Sequence, residues 1–214
     1  RIKKNKKRER VTKYVNDLDG DKVELLKKRM PRYEEWNAKI NGISRKDMDQ
    51  FYCNHVIHSL SIAKLYQFAD GESVMDIGTG GGFPGIPLAI LCPKVKFTLV
   101  GSIRKKTTVV KEVTAALGLT NVIVINDRFE NLTELHDVIV SRAVAPALKL
   151  VNFTKHTLAI GGKHILIKGG DLADEKAELL KKYKSMRWTE TQLDTIFEEE
   201  FFETKKVILL NSSV

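Results

Sequence analysis

Val74-Met75-Asp76-Ile77-Gly78-Thr79-Gly80-Gly81-Gly82-Phe83-Pro84-Gly85 is an apolar run that ends in an acid and opens into four glycines before a proline. The run predicts a buried β-strand. Gly78, Gly80 and Gly82 permit left-handed backbone and let a ligand lie against the main chain. Pro84 suits a first helical turn, where its missing N–H has no partner to lose. In an open parallel sheet, a glycine-rich turn from strand to helix stands at the carboxyl edge, where such sheets bind ligands. A tight turn without a ligand would account for fewer glycines.

The pattern on either side agrees. Downstream, β-branched runs at 73–77, 96–100, 122–125, 138–140 and 164–167 alternate with helical spacing at 84–91, 104–117, 147–158 and 171–183. Two further strand-like runs, 192–197 and 203–210, leave no room for a helix between them and predict an antiparallel hairpin at the sheet edge. Upstream, Leu26, Met30 and Tyr33, then Phe51, Val56, Ile57 and Leu60, recur at helical intervals. The predicted fold is α/β and Rossmann-like, with a seven-stranded, mostly parallel sheet, a C-terminal antiparallel hairpin and an N-terminal helical extension. The predicted division is a basic tail at 1–13, a helical segment at 14–70 packed on the core, and a ligand-binding domain at 71–214.

The 214 residues suffice for one such core. Of the net charge of +9, residues 1–13 carry +7 through eight Lys/Arg and one Glu, leaving +2 for the rest. Glu190, Asp194, Glu198, Glu199, Glu200 and Glu203 form an acidic stretch near the C-terminus. The overall charge therefore does not by itself identify a nucleic-acid partner. Cys53 and Cys92 lack the spacing of a metal site or a disulfide scaffold, and no apolar run is long enough to span a bilayer. A cytoplasmic protein without a metal or a membrane association is expected, as a monomer.

Two ligand classes compete for the glycine loop. The dinucleotide fingerprint G-x-G-x-x-G, counted from Gly78, meets Phe83 where the third glycine should stand. Counted from Gly80 it satisfies the letters but puts Pro84 inside the phosphate turn. The acid-x-G-x-G-x-G order led by Asp76 instead resembles the first motif of Rossmann-like class I methyltransferases that use S-adenosyl-L-methionine (SAM).

Further strings narrow the resemblance. Gly78 to Ala89, with its Gly-Phe-Pro-Gly-Ile-Pro core, is followed by Phe97-Thr98-Leu99-Val100, Ser141-Arg142-Ala143-Val144-Ala145 and Leu166-Ile167-Lys168-Gly169. Together with Trp36 to Asn41 and His55 to Leu60, these resemble the bacterial small-subunit ribosomal RNA guanine-N7 methyltransferase family, also called glucose-inhibited division protein B. The similarity spans about 32–210.

The resemblance implies SAM as cofactor and 16S ribosomal RNA of the small subunit as partner. It implies that Gly78 and Phe83 line the cofactor pocket, with Phe129-Glu130 at the adenine end and Arg142 beside the cofactor or the incoming base; Asp76, Thr79, Gly80 and Gly82 of the loop and Ser102 after the second strand complete the expected pocket. Asn41, His55, Arg104, Lys105, Arg128, Lys168 and Lys205 are the expected RNA contacts. No general acid or base is expected, because guanine N7 carries a free lone pair at neutral pH; Arg142 would act by positioning. His55 and His58, three apart, lack a third ligand for a metal.

One position departs from the family. An acid that holds the ribose hydroxyls normally follows the second strand, and here Gly101 takes its place in Leu99-Val100-Gly101-Ser102. Arg104 also stands where the family commonly has glycine. Two other readings follow: a ribosomal RNA-binding protein with weakened or lost SAM turnover, and a small-molecule methyltransferase.

Overall fold

The structure is a computed structural model that describes residues 13–14, 20–40 and 50–212. The tail at 1–12 and Asn41 lie outside the described residues.

The first helix, α1 (Gly20–Ile40), contains Pro31 and buries Leu26, Met30 and Tyr33 at helical spacing. A π-helical segment, Phe51–Ile57, runs directly into α2 (His58–Leu65). The alternation follows: β1 (Ser73–Ile77), α3 (Gly85–Leu91), β2 (Lys96–Gly101), α4 (Arg104–Ala116), β3 (Val122–Asn126), β4 (His136–Arg142), α5 (Ala147–Thr154), β5 (Leu158–Gly169) and α6 (Ala173–Lys182). It ends with β6 (Met186–Gln192) and β7 (Lys205–Ser212).

The seven strands lie in the order β3-β2-β1-β4-β5-β7-β6; β1 to β5 are parallel, and β7 pairs antiparallel with both β5 and β6. The direction of winding reverses between β1 and β4, which is where ligand crevices open in such sheets. Val74, Phe97, Leu99, Val138, Val140, Ile165 and Ile167 face a core shared with Leu26, Met30 and Tyr33 of α1, with the π-helical segment and with α3 and α4. Alternate residues Met75, Ile77, Val100 and Ile139 face the other side, against Phe129, Leu132 and Leu158.

Three expectations need correction. The first hairpin strand is 186–192, not 192–197: Trp188 pairs with Leu210 and is buried, while Leu193–Thr195 and Glu200–Phe202 form 3₁₀ turns. The apolar signal at 193–197 came from Leu193 and Phe197, which are buried within that connection. The predicted helix at 147–158 stops at Thr154, because the strand at 164–167 begins six residues earlier, at Leu158. Pro84 precedes the helix as its N-cap instead of opening it, and its bond to Phe83 is cis.

Candidate functional site

The carboxyl ends of β1, β2, β3 and β4 meet at one edge. Register places Ile77 beside Val100 and Ser141, so the next residues outward, Gly78, Gly101 and Arg142, stand side by side. Asn126 pairs with Gly101, and its side-chain amide donates to the Gly101 carbonyl at 2.9 Å.

Asp76 sits at the root of this crevice with no solvent exposure. Its Oδ2 accepts from the Thr79 hydroxyl at 2.7 Å and from the Gly85 amide at 2.8 Å, tying the strand to the loop and to the first residue of α3. A Cβ on Gly85 would stand 2.7 Å from that same oxygen, so only glycine lets the amide in. Its Oδ1 is buried and has no partner among the described residues. Burial raises the carboxyl to a pKa of about 6, against the lowering effect of the Thr79 and Gly85 bonds and the Arg142 guanidinium.

Gly78 has φ +65°, and a Cβ there would lie 2.6 Å from Cγ2 of Val144. The loop after β4 therefore rests directly on the glycine turn. Ala143 is held at φ +51°, a conformation uncommon for a side chain with a Cβ. Two contacts clamp this loop from α6 and β5: Lys168 donates to the Ala145 carbonyl at 2.8 Å and forms an ion pair with Glu175, which accepts from the Ala147 amide at 2.7 Å.

Arg142 is half-buried and bound to the π-helical segment. Its Nη1 donates to the Asn54 carbonyl at 3.3 Å, its Nη2 stands 3.2 Å from His55 Nδ1, and its guanidinium carbon lies 5.1 Å from the centre of the Phe83 ring. Phe83 in turn stacks on Tyr33 at 5.2 Å and meets His55 at 5.0 Å. The Tyr33 hydroxyl donates to the Gly81 carbonyl, and burial raises its pKa well above the ordinary value.

The structure thus gathers Asp76, Gly78, Thr79, Gly80, Gly82, Phe83 and Arg142 at one crevice. Ser102, Phe129 and Glu130 follow the ends of β2 and β3 at the same edge, Ser102 and Glu130 exposed and Phe129 partly so. Of the expected RNA contacts, Arg104, Lys105 and Arg128 are exposed beside them. His55 instead faces Arg142 and Phe83, Lys168 is engaged by Glu175 with 10% of its side chain exposed, and Lys205 reaches over the Phe201 ring at 5.0 Å. Sequence reading did not assign Tyr33, Asn54, Val144 or Thr107 to the site. Tyr33 was visible only as one more apolar position of a helical stripe. Among the described residues, no cluster of three or more His, Cys, Asp or Glu is arranged for a metal, and no helix is long and apolar enough to cross a membrane.

Against known proteins, residues 5–203 match the family model GidB, described as rRNA small subunit methyltransferase G. A protein of Christiangramia forsetii named ribosomal RNA small subunit methyltransferase G is 46% identical over 208 residues, covering 94% of this chain and 96% of that one. One of the same name from Bacteroides thetaiotaomicron is 47% identical over 204 residues, covering 92% and 97%. Among solved structures, a SAM-dependent methyltransferase from Aquifex aeolicus aligns with a TM-score of 0.57 at 16% identity, covering 72% of this chain and 89% of that one. A putative rRNA methylase from Clostridium thermocellum aligns at 0.54 and 19%, covering 75% and 97%. These two establish the fold.

Proposed function

The chain belongs to the GidB family of small-subunit ribosomal RNA methyltransferases, and from that premise we propose that it transfers the methyl group of SAM to N7 of a guanine in 16S ribosomal RNA. We further propose that it acts in the cytoplasm as a monomer, with no membrane association. The observation that carries the reading is the carboxyl edge shared by β1 and β4, which combines a fully buried acid holding one oxygen unpartnered among the described residues with a bound guanidinium beside it.

The residues present fit SAM. Oδ1 of Asp76 is a buried acceptor able to meet the cofactor's ammonium group directly or through one water, and Gly78 leaves the backbone open to close approach. Ser102 supplies a hydroxyl near the ribose position, and Phe129 with Glu130 a face and an acceptor for adenine. The cofactor supplies a methyl group made electrophilic by its sulfonium sulfur. Guanine N7 attacks through an in-plane lone pair, so the protein has no proton to remove; its task is alignment and field. Arg142, fixed over Phe83, is the cation that orients the two reactants.

The charge at the rim supports an RNA substrate. Arg104, Lys105 and Lys106 occupy the first turn of α4, where no acid balances them. Cations at a helix N-terminus oppose the helix dipole at about 0.3–1 kcal/mol each, a cost that an anionic backbone lying there relieves. Arg128, exposed where the chain leaves β3, adds a further cation at this edge.

The test is methyl transfer from labelled SAM to small ribosomal subunits and to naked 16S RNA, followed by borohydride and aniline treatment, which cuts strands at N7-methylguanine. A single new cut supports the reading. Label incorporated without a cut places the methyl on another atom, and no incorporation from SAM removes the proposal.

A further inference from the structure

The half-buried His55 ring stands on the π-helical segment against Arg142 and Phe83, and π-helical turns are frequent at functional sites. Consecutive residues of that segment present two acceptors to one guanidinium: the Asn54 carbonyl to Nη1 at 3.3 Å and His55 Nδ1 to Nη2 at 3.2 Å. A guanidinium has only donors, so the imidazole nitrogen that faces it must offer its lone pair. The ring is then neutral with its proton on Nε2. The other side of the guanidinium is covered by Phe83, whose ring also touches His55 and stacks on Tyr33. Among the described residues no carboxylate lies within ion-pair distance of Arg142; the charge of Asp76 acts on it from farther off, and the groups in direct contact with it are these neutral acceptors and the aromatic face.

We propose that His55 is a positioning residue of the methyl-transfer reaction: through its Nδ1 lone pair it aims the Arg142 guanidinium across the mouth of the glycine loop, and it is not a contact to the RNA backbone. The inference rests on the reading above, in which Arg142 stands at the reacting centre. The helical segment before β1 is in this view part of the catalytic framework, because it carries both acceptors and Tyr33. It makes the aim of Arg142 depend on the packing of that segment against β1 and β4.

Two measurements test this. The first needs neither cofactor nor turnover: nitrogen-15 NMR of the imidazoles in the full chain should show His55 at neutral pH with Nδ1 unprotonated and Nε2 protonated, and Arg142→Gln should alter the Nδ1 signal most among the histidines. A proton found on Nδ1 overturns the inference, whatever the protein's activity proves to be. The second compares His55→Phe with His55→Asn. Phenylalanine keeps the ring contacts and loses the acceptor; asparagine places an oxygen close to where Nδ1 stood. His55→Phe should lose ~10- to 100-fold in kcat on ribosomal subunits, the scale of a misdirected catalytic group, with little change in KM for the subunit. His55→Asn should restore the greater part. If His55→Phe instead raises KM for RNA and leaves kcat intact, or if His55→Asn is no better than His55→Phe, His55 does not position Arg142. If the unaltered chain transfers no methyl group, the functional reading falls while the NMR result still decides the contact.

Discussion

Cγ2 of Thr107 stands 2.9 Å from where a Cβ on Gly101 would be, so the first turn of α4 closes on the position at which a ribose-binding acid is expected from the sequence. Thr107 is buried, and its hydroxyl donates to the Arg104 carbonyl at 3.0 Å, which holds that rotamer. An acid introduced at 101 must therefore displace a methyl group as well as gain its bonds. Gly101→Asp alone should improve SAM affinity less than Gly101→Asp with Thr107→Ser, which removes the methyl and keeps the hydroxyl. Charge-assisted bonds of about 1.5–3 kcal/mol imply a gain of ~10- to 100-fold for the pair. Calorimetric titration of the three forms measures it, and equal affinity in all three would show that Gly101 does not face the ribose.

Asp76 predicts a pH dependence for cofactor binding. Its carboxyl is raised to about 6, so below that pH it is largely protonated and offers no charge to a cationic ligand. SAM affinity should rise as pH increases through 6 and level off above 7. Binding near pH 5.5 should release a proton, visible as a dependence of the calorimetric heat on buffer ionisation enthalpy. Asp76→Asn should remove both effects, since its amide does not titrate.

The architecture was legible because strand and helix periods alternate cleanly after Gly71, and because an acid followed by glycines marks the strand end. Asp76, Phe83 and Arg142 were legible as members of local strings. What joins them was not. Tyr33 approaches Phe83 from 50 residues upstream, and its apolar spacing looks like ordinary core. Residue type points His55 and Lys168 toward RNA, and nothing in the local sequence shows that each also has an internal partner, Arg142 for His55 and Glu175 for Lys168. The terminal hairpin shifted because buried turn residues Leu193 and Phe197 imitate strand spacing; pairing with β7, which the local pattern does not encode, selects 186–192 instead.

Tyr33 carries a prediction about the glycine loop. Tyr33→Phe keeps the stack on Phe83 and removes only the donor to the Gly81 carbonyl, so it should cost about 1 kcal/mol of stability and weaken SAM binding several-fold through a looser loop. Tyr33→Ala also empties a fully buried site and should cost about 3–5 kcal/mol. Denaturant melts and calorimetry on both variants separate the loop effect from the core effect. Unchanged SAM affinity in Tyr33→Phe would detach the hydroxyl from the function of the loop.

The acid limb of stability should be governed partly by His58. Its ring is buried against Phe201 and Phe202, with Nε2 unpartnered among the described residues, and burial, aided by the nearby Arg142 and Lys205, lowers its pKa to about 3. In the unfolded chain the same ring protonates near 6.5. Between those values the unfolded state holds the extra proton, so stability falls as pH decreases from 6.5 toward 3. His164, lowered by burial to about 4, acts in the same direction. At about 1.4 kcal/mol per pH unit of difference, His58 alone contributes a loss of a few kcal/mol by pH 4. His58→Phe should remove about half of this combined loss, leaving the nearly equal share of His164, while changing stability little at pH 8. Urea midpoints at pH 4, 5, 6 and 8 for both proteins give the comparison. A limb of equal steepness in His58→Phe would mean that the ring is protonated in the folded state and finds a partner there.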